Sequence, residues 1–102
     1  MARMVVMYKT PKDPAAFDRY YFASHVPIAK RIPGLRKYEV SEGAVPSPAG
    51  PSGVHLVAIL HFDDMAAVGR AFASDEGKAA VADVGTFATG GVDILMFDQR
   101  EV

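Results

Sequence analysis

The chain has 102 residues, half of them hydrophobic and 23% charged, which is the composition of one globular domain rather than of a disordered segment. The formal net charge is −1 and the basic residues are scattered, so a nucleic-acid partner is not expected. The absence of cysteine excludes disulfides, thiolate metal sites and a cysteine nucleophile.

The N-terminal region predicts a short strand and a turn. Met4 to Tyr8 is a mostly apolar run that stops at the turn-forming segment TPKDP, residues 10–14. This run is too short for a signal peptide, and no stretch of the chain approaches the length of a transmembrane helix. We therefore expect a cytoplasmic protein with no membrane partner.

A helix is predicted to follow, because Asp13 suits an N-cap and Pro14 a first helical residue. Its apolar stripe at helical spacing consists of Phe17, Tyr21, His25 and Ile28. Pro33 and Gly34 are expected to end the helix. The stripe must face a sheet for the helix to bury anything, so His25 would point at that sheet.

His25 and Pro27 are the unusual residues of this helix. An imidazole can accept and donate a proton near neutral pH, although a buried histidine can equally be structural and hydrogen-bonded to a carbonyl or a tyrosine. Pro27 lacks an N–H, which predicts a kink with Val26 moved away from helical angles, or else the start of a second helical segment. Either discontinuity would leave room for a pocket beside His25.

The remaining pattern predicts two strands, a helical region and a last strand. The second strand is expected over Leu35 to Val45, and Pro46 to Gly53 should form a flexible hairpin or a covering flap. Val54 to Phe62 is a strand with apolar residues on both faces. The helical region that follows should pause at Ser74 and Asp75, and residues 92–102 form the last strand.

This order predicts a single α+β domain over residues 1–102, with the ferredoxin-like βαββαβ fold and a four-stranded antiparallel sheet. Two helices can cover only one face of such a sheet. The apolar residues on the other face therefore predict a homodimer, in which two sheets close into a dimeric α/β barrel.

The chain resembles the EthD family, named for a protein linked to ethyl tert-butyl ether degradation, which belongs to the dimeric α/β-barrel superfamily. The residues that carry the resemblance are Phe17, Tyr20, Tyr21, His25, Pro27, Pro33, Gly34 and Leu35. It extends over nearly the whole chain and implies a role in an oxidative degradation pathway. It also favours a functional role for His25, the most characteristic polar residue of the motif.

We therefore take His25, Tyr21 and Tyr38 as candidate catalytic residues, because a phenol can donate a hydrogen bond to a developing enolate. The candidate substrate-binding residues are Tyr8, Phe17, Ile28 and Arg36. Asp83 is expected to be a surface charge or a cap. His55 and His61 should lie on one strand face about 20 Å apart, too far to share a metal ion.

Three functions remain open from the sequence. The first is a cofactor-independent enzyme, an isomerase, lyase, cyclase or oxidoreductase, acting on an aromatic, lactone or polyketide-like metabolite. The second is a non-catalytic binding or accessory protein of a degradation system with the same pocket. The third is a haem protein with His25 as the axial ligand.

Overall fold

An antiparallel sheet carries all the helices on one of its faces. In the computed structural model, which describes residues 1–102, the strands are β1 (Ala2–Lys9), β2 (Lys37–Val40), β3 (Val45–Ser47), β4 (Gly50–Phe62) and β5 (Val92–Asp98). The helices are α1 (Pro14–Tyr20), a π-helical turn (Tyr21–His25), α2 (Val26–Ala29), α3 (Met65–Ala73) and α4 (Asp75–Phe87). The strand order β2-β4-β1-β5 confirms the predicted ferredoxin-like domain. None of the helices is long and apolar enough to cross a membrane.

The helix boundaries follow the capping residues. The Asp13 side chain accepts a hydrogen bond from the N–H of Ala16 at the start of α1. Ser74 separates α3 from α4, as the sequence predicts, and its hydroxyl accepts from the N–H of Gly77. A Cβ atom at Gly77 would lie 2.0 Å from the Ala71 carbonyl oxygen, so only glycine allows this close junction between the two helices.

The chain remains helical through Pro27. Val26 has φ −56° and ψ −47°, and its N–H donates to the carbonyl of Tyr21, five residues earlier. The predicted displacement of Val26 from helical angles is therefore wrong, because a π-helical turn absorbs the change of hydrogen-bonding register before the proline. Pro27 lies in the first turn of α2, where a missing N–H is tolerated. This is the second of the two alternatives that the sequence allowed.

The two faces of the sheet differ sharply in their cover. On the face below the helices, alternate residues of β1 and β4 are buried, and these are Ala2, Met4, Val6, Tyr8, Leu56, Ala58, Leu60 and Phe62. The opposite face, called here the helix-free face, presents half-buried Val5, Met7, Val57 and Ile59 together with exposed Leu95 and Phe97. Nothing in a single copy of the chain covers it.

The region from Leu35 to Gly53 differs from its prediction. β2 ends at Val40 rather than at Val45. Of the two alternatives for the segment Pro46 to Gly53, a flexible hairpin or a covering flap, the structure shows a hairpin, which β3 forms with the start of β4. The sheet thus has five strands rather than four, because β4 extends past its neighbours in the core and pairs β3 beyond them.

A β-bulge at His55 overturns the prediction that His55 and His61 share a face. Tyr8 pairs with Leu56 whereas Lys9 pairs with Val54, so His55 is an extra residue in the strand. Its ring turns toward the helices and bonds Asp18 of α1. His61 lies on the helix-free face.

Candidate functional site

A small cavity lies between the sheet and the helices. Its walls are almost entirely apolar side chains from β1, β4, α2, α4 and β5, and its volume is about 40 Å³. The chain contributes four side chains with polar atoms to this lining, and these are Tyr8, Tyr21, His25 and Tyr38. An apolar cavity with a few convergent polar groups is the usual form of a small-molecule site.

His25 is paired with a largely buried carboxylate. Its Nδ1 atom lies 2.8 Å from Oδ2 of Asp83, and the side chains are only 6% and 12% exposed. A carboxylate can only accept a hydrogen bond, so the Nδ1–H of His25 donates to Asp83 and the tautomer of the neutral ring is fixed. The ring also packs against Phe87, with centroids 4.6 Å apart.

The second oxygen of Asp83 is also occupied. The hydroxyl of Tyr20 donates to Oδ1 of Asp83 at 2.6 Å, and this bond to the carboxylate raises the pKa of Tyr20 above its ordinary value. Two consecutive hydrogen bonds therefore link Tyr20, Asp83 and His25 across the helices. The carboxylate is held from both sides and in turn holds the imidazole in one orientation.

Two polar atoms of the site have no partner in the chain. Nε2 of His25 makes no hydrogen bond, and neither does the hydroxyl of Tyr8. Every side-chain nitrogen or oxygen atom that is inaccessible to solvent does have a hydrogen-bond partner. Both atoms thus retain accessible surface. With Nδ1 donating to Asp83, Nε2 carries the free lone pair of the neutral ring and can accept a proton.

Two further phenols meet where the π-helical turn contacts the sheet. The hydroxyl oxygens of Tyr21 and Tyr38 are 2.5 Å apart. Burial and, after it, the neighbouring Tyr38 phenol raise the pKa of Tyr8 and of Tyr21, and burial likewise raises the pKa of Tyr38. All three side chains are therefore neutral O–H groups at physiological pH and can act as hydrogen-bond donors.

The aromatic residues behind the cavity fix these groups. The rings of Phe17 and Tyr21 are stacked with an interplanar angle of 6°, and both contact Tyr8 edge-on. The ring of Phe87 packs against the rings of Tyr8, Phe17 and Tyr21, with centroid distances of 5.3–5.6 Å. Such contacts contribute roughly 0.5–1.5 kcal/mol each beyond simple burial, and they restrict the rotamers of the candidate site residues.

Four of the seven candidate residues from the sequence line the cavity, and the other three do not. Tyr8, Tyr21, His25 and Tyr38 line the cavity together, whereas Phe17 packs behind it. Ile28 lies on an outer groove between α2 and α4. Arg36 is on the surface, where both of its guanidinium contacts go to Asp63.

Sequence reasoning missed Asp83 and Phe87. The Asp83 side chain is only 12% exposed and is bonded on both oxygens, so the expectation of a surface charge or cap is wrong. The signal was present in the sequence, because Ala80, Asp83, Val84 and Phe87 recur at helical spacing on the buried side of α4. A carboxylate on such a stripe needs a partner, and His25 and Tyr20 are those partners.

The candidate site has neither the ligands for a metal ion nor the space for a haem. No group of three or more histidine, aspartate or glutamate side chains is placed to hold a metal ion. A cavity of about 40 Å³ is far smaller than a haem macrocycle, so the residues around His25 do not fit one in this conformation.

Comparison with known proteins links the chain to one family. The EthD domain model matches residues 9–91. A protein of Rhodococcus erythropolis, described as an uncharacterised 11.0 kDa protein in the thcB-thcC intergenic region, is 42% identical over 100% of this chain and 98% of its own length.

Solved structures show the same fold. An EthD family protein of Bacillus halodurans superposes with a TM-score of 0.89 at 33% identity, covering 98% of this chain and 99% of its own. SnoaB of Streptomyces nogalater, described as a cofactor-independent oxygenase, superposes with a TM-score of 0.68 at 18% identity over 99% and 94% of the two chains. At that identity the second likeness concerns the fold alone.

Proposed function

The chain belongs to the EthD domain family, and we propose that it is an enzyme that moves a proton on a small, largely apolar metabolite, with His25 as the general base. The observation that carries the proposal is the His25–Asp83 pair, because His25 lines the apolar cavity and its Nε2 atom has no hydrogen-bond partner in the chain. A positioned imidazole can both remove a proton from a substrate and return it.

The charge distribution of the pair suits this role. When Nε2 takes a proton from an acidic C–H or O–H group, the imidazole becomes positive beside the Asp83 carboxylate. The carboxylate stabilises that cation without itself accepting the proton, as in other histidine–carboxylate pairs. Tyr20, which donates to the other oxygen of Asp83, keeps the carboxylate in place during the step.

The phenols supply the complementary interaction. Loss of a C–H proton beside a carbonyl moves the electron pair onto the carbonyl oxygen and leaves an enolate. The unpaired hydroxyl of Tyr8 and the Tyr21–Tyr38 pair can donate hydrogen bonds to that oxygen, because their raised pKa values keep them protonated. Return of the proton to a different carbon would complete an isomerisation. Attack of the enolate carbon on a second carbonyl of the same molecule, with the proton passing to the new alkoxide, would instead complete a cyclisation.

The substrate class follows from the walls of the cavity. Apolar side chains around a single imidazole and three neutral phenols favour an aromatic, lactone or polyketide-like molecule over a charged one. In a related reaction, the carbanion formed at His25 would add to dissolved oxygen and give a hydroperoxide; SnoaB, which shares the fold, is described as a cofactor-independent oxygenase. Both outcomes begin with the same proton transfer.

The proton transfer can be tested without the natural substrate. A cyclic aromatic ketone such as 2-tetralone exchanges its acidic C–H protons with deuterated water, and NMR follows the exchange. We expect the protein to accelerate this exchange and His25→Ala and His25→Asn to lower it by roughly two to four powers of ten, the usual range for acid–base catalysis. Binding of the ketone at His25 without any accelerated exchange would instead indicate the binding or accessory protein.

We propose further that the chain is a homodimer in which a second copy covers the helix-free face. Val5 is the cross-strand neighbour of both Ile59 and Leu95 there, and Phe97 follows Leu95 on the same face. An exposed apolar surface of this kind usually marks an interface. A two-fold pairing of identical faces would close two sheets into the barrel that the family resemblance implies.

A further inference from the structure

The lining of the cavity reaches the protein surface at two residues. Val81 of α4 and Ile94 of β5 both line the cavity, yet they are 55% and 44% exposed, whereas most of the remaining lining is buried or half-buried. Side chains that belong to both the cavity wall and the surface mark the place where the cavity opens. The cavity therefore opens between α4 and β5, and we call this opening the mouth. β5 is an edge strand of the sheet.

An apolar strip continues outward from this mouth. Met96 follows Ile94 by two residues on the same face of β5 and is 51% exposed, and it pairs with Met4, which lines the cavity. Residues two apart on a strand are spaced by about 7 Å. The apolar surface thus runs from the inside of the cavity past Ile94 to the exposed side of Met96.

The size of the cavity decides how a ligand must use this strip. A volume of about 40 Å³ is well below the roughly 150 Å³ of an engineered apolar cavity that binds benzene, so an aromatic metabolite does not fit inside it. Only a small part of such a molecule can lie beside His25 without moving the walls. The rest has to extend through the mouth.

We infer that Val81 and Ile94 determine specificity: they bind the apolar tail of an elongated substrate whose acidic head group reaches His25. This inference rests on the proposed function, since it takes His25 as the inner end of the site. The substrate class is therefore narrower than an apolar metabolite. It has a phenolic or enolisable head and an unbranched or flat apolar extension.

A series of 4-alkylphenols, from phenol to 4-hexylphenol, tests the inference by calorimetry. A hydroxyl that reaches His25 should shift the His25 ring signals in NMR spectra for every member. Once the tail reaches the mouth, each added methylene should tighten binding by about fourfold, the value for transfer of a methylene from water to an apolar environment. The double variant Val81→Ser/Ile94→Ser should keep phenol affinity and lose this dependence on tail length.

Phe22→Ser provides the matched control. Phe22 is 51% exposed and lines a different groove beside the β3–β4 hairpin. Its ring contacts Tyr21 edge-on but does not line the cavity, so its loss should leave the tail-length dependence intact. Circular dichroism confirms that each variant is folded. If the dependence persists in the double variant, or disappears in Phe22→Ser, the mouth is wrongly placed while His25 shifts still support the site. If no phenol shifts His25 in any form, the proposed function itself fails.

Discussion

Replacing Asp83 by asparagine separates a functional pair from a merely structural contact. Asp83→Asn keeps the size of the side chain and its ability to accept from Nδ1 of His25, but it removes the negative charge. The structure predicts a clear loss of stability, because both oxygens of Asp83 accept hydrogen bonds in a site with little access to water. It also predicts that the His25 tautomer is no longer fixed.

The magnitude follows from those two bonds. A hydrogen bond to a charged group contributes roughly 1.5–3 kcal/mol, against roughly 0.5–1.5 kcal/mol for a neutral one. Weakening two such bonds should therefore lower the free energy of unfolding by about 2–3 kcal/mol, equivalent to a drop in Tm of roughly 10–20 °C for a domain of this size. The two proteins must be compared at equal concentration, because association of the chain would itself raise the Tm.

The chain contains a matched control. His55 and Asp18 form a second histidine–aspartate contact with the same 2.8 Å separation, but the Asp18 side chain is 51% exposed. Exposed pairs contribute little, so Asp18→Asn should cost less than about 1 kcal/mol. Urea unfolding of both variants measures the difference, and long-range ¹H–¹⁵N NMR spectra report which ring nitrogen of His25 carries the proton.

Two results would refute the reasoning. Equal stability losses in Asp83→Asn and Asp18→Asn would mean that burial does not strengthen the His25–Asp83 contact. A wild-type spectrum with the proton on Nε2 of His25 would remove the free lone pair from the cavity and, with it, the general base.

Three further predictions concern the phenols, the helix-free face and the hairpin. Burial raises the pKa of Tyr8 and Tyr21, so above a pH of about 10 the unfolded chain binds fewer protons than the folded one. The free energy of unfolding should therefore fall by about 1.4 kcal/mol per pH unit for each phenol. Phenolate absorbance measures the ionisation, and ionisation of either phenol before the protein unfolds would contradict this prediction. Phe97→Glu should prevent the proposed dimer from forming in analytical ultracentrifugation, because the exposed ring lies on the helix-free face, and a wild-type monomer at micromolar concentration would refute the proposed dimer. Amides of the segment Pro46 to Gly53 should exchange with solvent much faster than those of β1, and strong protection there would show that the hairpin is anchored.

The sequence predicted the parts of the protein that depend on local pattern. Ser74 stopped one helix and started the next because a side-chain oxygen at that position caps an N-terminus wherever it occurs. The apolar stripe from Phe17 to Ile28 required a covered face for the first helix, and the order of strands and helices then left few topologies other than the ferredoxin-like one. The position of His25 below the helix follows from the same periodicity.

Tertiary structure decided which polar groups meet. Asp83 is 58 residues from His25 in the chain, so no local pattern could show that the two side chains lie 2.8 Å apart. The bulge at His55 depends on how β4 pairs with β1, and it sends two histidines of one strand to opposite faces. Spacing along the chain fixes the face of a residue only while an element stays regular, whereas pairing and packing between distant segments determine its contacts.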